Sequence, residues 1–235
     1  PTPWFPKPPF QISNYIEAWI KYPFLTYFKN TILVVVAATM GNVMSSSITA
    51  FGFARIRFPG RDFLFVILIS TMMLPYQVKI IPLFQMYKTI GWLNSLWPLI
   101  VPAFFASASP FFVFLMRQFF LSIPEELADA ARIDGCGFVN IYLRIFLPLT
   151  KPAMVTVALF SFMDNWNDFF MPLIYINSNQ FKTLSLGLAG MTGQYVSDWH
   201  IIMAASVITV LPCVIIFLLA QRHFVEGIAL SGIKG

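Results

Sequence analysis

Charge is scarce in this sequence. Of its 235 residues only 11% are Asp, Glu, Lys or Arg, while 58% are hydrophobic and Phe alone supplies 26. A water-facing fold uses about 25% charged residues, so this chain has too few to coat a soluble surface. Cysteine and histidine are scarcer still. Cys136 and Cys213 are isolated, without a C-x-x-C spacing, and His200 and His223 lie far apart. Neither a disulfide framework nor a zinc site is indicated, and no cofactor or metal is expected. There is no G-x-x-x-x-G-K-[ST] phosphate loop, so ATP is not hydrolysed here in the usual way. Neither histidine has a matching nucleophile, which leaves an enzymatic role with little support. The formal charge of +5 contains no basic run or arm, and nucleic acid is not expected as a partner. The opening Pro1-Thr2-Pro3 carries neither an initiator Met nor a signal-peptide pattern.

What the sequence has is long apolar stretches separated by short clusters of charge. This layout predicts an all-α transmembrane fold, a polytopic helical bundle. Five spans are placed. The first covers Thr31 to Ala54, and the second runs from Asp62 to Tyr87 with Pro75 and Pro82 as kinks. The third lies between Lys88 and Arg117 and carries Pro98, Pro102 and Pro110. The fourth runs from Lys151 to Ile174, and the fifth lies between His200 and Arg222 around Pro212. Each supplies the roughly 20 mostly apolar residues that a bilayer demands. Proline is tolerated in such helices because neighbouring groups satisfy the freed carbonyls.

The loops between spans then alternate sides. One set holds every Arg together with Lys151 and Lys234, and the other holds the remaining six lysines. Cytoplasmic loops are enriched in Lys and Arg, which makes the Arg-bearing set cytoplasmic and puts the N-terminus outside. An outside N-terminus without a signal peptide leads to the expectation of a further transmembrane helix upstream. The resulting division is residues 1–29 as an extracytoplasmic segment, 30–224 as the transmembrane domain and 225–235 as a cytoplasmic tail.

The loop after the third span reads Ser122-Ile123-Pro124-Glu125-Glu126-Leu127-Ala128-Asp129-Ala130-Ala131-Arg132-Ile133-Asp134-Gly135. Ser122 followed three residues later by Glu125 has the form of a capping box, and Gly135 that of a helix stop. The spacing predicts a helix of about 12 residues, roughly 18 Å long. A second short helix, with Phe138, Ile141, Tyr142 and Ile145 on one face, is expected to close at Pro148. Taken alone, this is a cytoplasmic helix pair that either packs under its own bundle or docks on something else. A DNA-binding helix-turn-helix is not expected, because the pair has no basic recognition face.

The segment Asp129-Ala130-Ala131, then Gly135, then Ile145-Phe146-Leu147-Pro148 resembles the EAA motif of ABC-importer permeases. Asp129 stands where that family prefers Glu, and Cys136 where Ala is common. Asn30-Thr31-Ile32, Ala54 to Gly60, Trp166-Asn167-Asp168, Pro172-Leu173 and the tail from Gly227 to Gly235 are similar to the maltose-type sugar permeases. The resemblance implies that the loop is a coupling helix seated on an ATPase subunit. Glu125, Glu126, Asp129, Ala130, Ala131, Asp134 and Gly135 would carry the contact, and Gly232, Lys234 and Gly235 a further tail contact. It also implies six helices in the whole subunit, a second homologous permease, two ATP-binding-cassette ATPase subunits and an extracytoplasmic sugar-binding protein. The setting is the cytoplasmic membrane of a bacterium or archaeon, with lipid around the bundle. Another solute, such as glycerol-phosphate or a peptide, stays open, as does a non-transporting membrane scaffold or sensor.

The fourth span contains Asp164-Asn165-Trp166-Asn167-Asp168. Ser161, Asp164, Asn165 and Asp168 share one helical stripe by their spacing. Acidic residues inside a membrane face protein or water and usually mark function. The stripe is therefore either a sugar path, with amides and carboxylates for hydroxyls and Trp166 for stacking, or a polar seam between helices. Residues 177–199, rich in Ser, Asn, Gly and Gln, are expected as an outside loop, which in similar permeases reaches the binding protein.

Overall fold

The computed structural model describes residues 11–105, 109–191 and 198–232, with side chains described to residue 219. Helices make up its regular structure, and no strand occurs among the described residues. A short helix α1 (Ser13–Lys21) leads into α2 (Phe24–Arg55), 32 residues long and without an internal proline. Helix α3 (Arg61–Ser70) follows a turn at Gly60, whose φ of 78° suits a residue without Cβ. Pro75 then breaks the apolar run. Helix α4 (Tyr76–Thr89) leaves at 98° to the segment before it, while Pro82 sits inside α4. The stretch with three prolines breaks likewise into α5 (Trp97–Ile100), a 3-10 turn at Val101–Phe104, and α6 (Pro110–Ser122).

Two short helices come next, α7 (Glu126–Ile133) and α8 (Phe138–Ile141), the latter running through a π turn at Tyr142–Phe146 into α9 (Leu147–Leu149). At Thr150 the chain bends by 76° into α10 (Lys151–Asn167). Helix α11 (Phe170–Tyr175), the small α12 (Leu184–Ala189) and the long α13 (Trp199–Gly232) complete the chain.

Helices α2 and α13 are long and apolar enough to cross a membrane, and each bent pair adds one span if it is counted as one. The second span, expected with kinks at Pro75 and Pro82, turns sharply at Pro75, while Pro82 stays inside α4.

Helix α2 is the centre of the packing, lying against α6 and α10, while α13 packs on α1 and α10. Its two ends sit in separate cores. Near Arg55, Phe51 and Ala54 meet Phe112, Met116 and Phe120 of α6, Ala128 and Ala131 of α7, Ile141, Phe146 and Val157. Near Phe24, Phe24 and Tyr27 meet Ala18, Trp166, Leu184, Met191 and Ile201. Other faces stay apolar and uncovered, as at Leu33, Val36, Met40 and Met44 on α2 and Val207, Val210, Leu211 and Val214 on α13. Such faces need lipid or another apolar surface.

Candidate functional site

The loop at the Arg55 end differs from its expectation at one end and matches at the other. Ser122 is not the cap. It is the last residue of α6, and its hydroxyl donates to the Phe119 carbonyl at 2.8 Å. The preceding helix consumes it, and Ile123, placed before Pro124, is extended (φ −75°, ψ 132°) as its neighbour requires. Helix α7 therefore has 8 residues and not 12, and the Glu125 carbonyl receives the first amides, from Ala128 at 2.8 Å and Asp129 at 3.0 Å.

The stop at Gly135 is as expected. Gly135 has φ 80°; its amide donates to Arg132 O at 3.0 Å and the Cys136 amide to Ala131 O at 2.9 Å. This paired closure is the Schellman arrangement, which strongly favours glycine at that position.

Helix α7 has two faces. Ala128 and Ala131 are buried in the core beneath it, where only small side chains allow so close an approach. Glu126, Leu127, Ala130, Ile133 and Asp134 point outward, and Ile133 is 87% exposed. The outward set follows the i, i+3/i+4, i+7 spacing of one helical face. Arg132 pairs with Asp129 and lies 3.9 Å from Glu125, so two of the loop's carboxylates share one cation. Solvent-exposed pairs of this kind contribute at most about 1 kcal/mol, so they shape the surface more than they stabilise it.

Sequence reasoning used Arg55 to orient the chain and within the resemblance of Ala54 to Gly60, and missed its contacts. From the last turn of α2 its guanidinium donates to the carbonyls of Phe120 and Ile123 and stands 4.8 Å from the Phe146 ring. The carbonyls at the end of α6 have no intrahelical partners and carry the negative end of its dipole, which suits a cation. About two turns before it, Ser47 hydrogen-bonds Tyr142 at 2.9 Å. The available signal was an Arg closing a run with no charge from Asn30 to Ala54.

The polar stripe divides. Ser161 is buried, and its hydroxyl accepts from Asn42 of α2 at 2.9 Å, while Asn165 donates to the Ser161 carbonyl at 2.6 Å. Asp168 lies just beyond α10, and its carboxylate accepts the amides of Phe170 (3.1 Å) and Met171 (3.2 Å), capping α11. Trp166 is 1% exposed; its indole N–H donates to Thr209 O at 3.1 Å and Phe162 stacks on it. No open face of Trp166 is left for stacking on a sugar in this conformation. Asp164 and Asn167 are the exposed members of the group.

At the Phe24 end, Asn30 and Thr31 hold the segment that follows α11. The Asn30 amide donates to the carbonyls of Gln180 and Lys182, both at 2.9 Å. The buried Thr31 hydroxyl accepts the Leu184 amide at 2.8 Å. Asn94 takes the amides of Asn177 (3.1 Å) and Ser178 (2.8 Å) on its side-chain oxygen. Residues 192–197 of the expected outside loop lie outside the described residues, as do Lys234 and Gly235 of the tail; Gly232 ends α13. No group of three or more His, Cys, Asp and Glu side chains fit to hold a metal occurs among the described residues.

The chain is similar to known proteins in sequence and in fold. The family model described as the binding-protein-dependent transport system inner membrane component matches residues 42–229. The arabinooligosaccharides transport system permease protein AraQ of Halalkalibacterium halodurans is 36% identical over 210 residues, covering 89% of this chain and 74% of that protein. The sn-glycerol-3-phosphate transport system permease protein UgpE of Salmonella typhi is 36% identical over 208 residues, covering 88% of this chain and 73% of that protein. The solved structure of a bacterial ABC transporter involved in the import of the acidic polysaccharide alginate superposes with a TM-score of 0.82 at 23% identity. That likeness of fold covers 91% of this chain and 80% of the other. A family match over most of the length and two relatives that cover nearly all of it agree: the chain belongs to the inner membrane components of binding-protein-dependent transport systems.

Proposed function

We propose that the chain is the permease subunit of an ATP-driven sugar importer, with α7 as the helix that docks on an ATPase subunit. The observation that carries the reading is the two-sidedness of α7. Two buried alanines fix it to the end of the bundle, and an outward face of Leu127, Ala130 and Ile133 is left uncovered between carboxylates. An outward apolar face flanked by carboxylates on a short loop is a surface that a partner can cover. The reading puts the Arg55 end in the cytoplasm and the segment after α11 outside, facing an extracytoplasmic binding protein. A second homologous permease would cover part of the exposed apolar surface and enclose the path, and lipid the rest. The membrane is the cytoplasmic membrane of a bacterium or archaeon, crossed by α2, by α13 and by apolar segments between them. Asp164 and Asn167 are the exposed members of the polar group, Asn167 with its amide donating to the Met163 carbonyl at 2.8 Å, and they would line the path.

Sugar as the solute rests on likeness to the arabinooligosaccharide permease; the equally similar glycerol-3-phosphate permease defines the rival. Two measurements test the reading. Ala130→Glu should abolish co-purification of the ATPase while the permease melts as the wild type does, because the new charge meets only the partner. Ala131→Glu should instead destabilise the permease itself, since an unpaired buried charge costs several kcal/mol. Retained ATPase binding by Ala130→Glu overturns the docking assignment and leaves a scaffold. Uptake by the reconstituted importer, with labelled arabinooligosaccharide against glycerol-3-phosphate, decides the solute.

A further inference from the structure

Helix α2 reaches both places where the proposed importer would meet its partners, and it is fastened at each. At one end the Asn30 amide holds two carbonyls of the 180–182 segment, and Thr31 holds the Leu184 amide. At the other the Arg55 guanidinium holds the carbonyls of Phe120 in α6 and of Ile123 just after it, at the entry to α7, and stands over Phe146 on the return. The 32 residues between Phe24 and Arg55 span about 48 Å as one helix. Sharp kinks arise mostly at proline, and α2 has none. The neighbouring apolar runs are broken by 98° at Pro75 and by 76° at Thr150.

We propose that α2 is the strut that carries displacement between the outer 179–187 segment and the docking loop, with Asn30 and Arg55 as its two fastenings. The inference rests on the transport reading above, which assigns a binding protein to one end and an ATPase to the other. Both residues are positioning residues. Neither needs to touch solute or nucleotide. A push on the outer segment moves the carbonyls that Asn30 grips, and an unbroken helix delivers it to the carbonyls that Arg55 grips. Chains of packed groups carry coupling only when both ends are held by the same two-state element, so loosening either fastening interrupts the same transmission.

The test uses the whole importer in lipid nanodiscs, with ATP hydrolysis measured against rising concentrations of the solute-loaded binding protein. Asn30→Asp keeps the side chain's shape but turns a donor into an acceptor facing two carbonyls. Arg55→Lys keeps the charge but cannot grip two carbonyls and cover the ring together. Each variant should lower the ratio of stimulated to unstimulated hydrolysis about tenfold, a usual size for coupling between sites. The half-saturating concentration of binding protein should stay at its wild-type value, and the double variant should be no worse than the weaker single. A raised half-saturating concentration with a full maximal rate would make Asn30 a docking contact and overturn the strut. So would effects that multiply in the double variant, wild-type stimulation in either single variant, or a parallel fall of both rates with the melting temperature. Absence of stimulation in the wild-type complex overturns the transport reading, and this inference with it.

Discussion

Gly187 lies in α12, pressed against the ring of Tyr27. A Cβ built on Gly187 comes within 2.2 Å of one ring carbon of Tyr27 and 2.5 Å of the next. Carbon atoms in contact settle at about 3.5–4.0 Å, so the ring would have to retreat by more than about 1 Å. It has nowhere to go. Tyr27 is 5% exposed and shares its core with Phe24, Trp166 and Leu184. Overpacking of this kind costs about 1–3 kcal/mol, and a contact this short belongs at the upper end. Against it stands the ordinary benefit of Gly→Ala in a helix, about 0.5–1 kcal/mol. Gly187→Ala should therefore destabilise by about 2 kcal/mol. Gly52 in α2 has no atom within 4 Å of its built Cβ, so Gly52→Ala should show only the benefit.

One substitution at two positions thus shifts the melting temperature in opposite directions. Thermal unfolding of the purified subunit in one detergent, followed by intrinsic fluorescence, reads both shifts. A double-mutant cycle with Tyr27→Leu isolates the cause, because removing the ring should cancel much of the Gly187→Ala penalty. If Gly187→Ala melts at or above the wild-type temperature, α12 is not seated on α2 as described. If it is destabilising but Tyr27→Leu gives no relief, the clash is with something other than that ring.

Three further outcomes are expected. Asn42→Leu removes the donor to buried Ser161 and should lower stability by about 0.6 kcal/mol, the average for such bonds in a membrane protein, and by no more than about 1.7, while Asn167→Ala, which loses only an exposed bond to the Met163 carbonyl, should barely move the melt and alter uptake. With Cys136 and Cys213 replaced by Ser in the intact protein, an impermeant thiol reagent added to cells should label Ser13→Cys and spare Ser231→Cys, and the reverse would invert the topology. Lys21 hydrogen-bonds Asp198 and holds its carboxyl below the usual carboxylate value of 3.8, so the attachment of α1 to α13 is complete above that value and weakens as pH falls through the lowered one. Pepsin cleavage of residues 13–21 should rise over that interval in the wild type and lose its pH dependence in Asp198→Asn.

Where the sequence spoke through the backbone, it was legible. Gly135 ends α7 because the closure there needs a positive φ, and that requirement can be read from one residue and its neighbours. Pro75 breaks an apolar run for a reason equally local, a missing N–H and a fixed φ. The length of that run could not show how sharply it would turn. Ser122 misled for the opposite reason. A Ser three residues before a Glu has the form of a cap, but the same Ser serves equally well as the last residue of a preceding helix. Which role it takes depends on whether α6 stops short of it, and the core around Phe112, Met116 and Phe120 carries α6 through.

The polar stripe shows a second kind of limit. Spacing places Ser161, Asp164, Asn165 and Asp168 on one side of a helix, but it does not say what lies opposite. Asn42, 119 residues earlier than Ser161, settles that for half the stripe, and a bend after Asn167 turns Asp168 from a wall into a cap. Arg55 joins both limits. Its place at the end of a run uncharged from Asn30 to Ala54 is visible in sequence, and with the other six Arg residues it motivates the orientation expected for the chain. Its partners are main-chain carbonyls of Phe120 and Ile123, groups that every residue possesses and no side-chain pattern marks. Contacts of that kind become legible only when the fold brings two helix ends together. The structure therefore adds most where it shows what fastens the docking loop, more than which residues compose it.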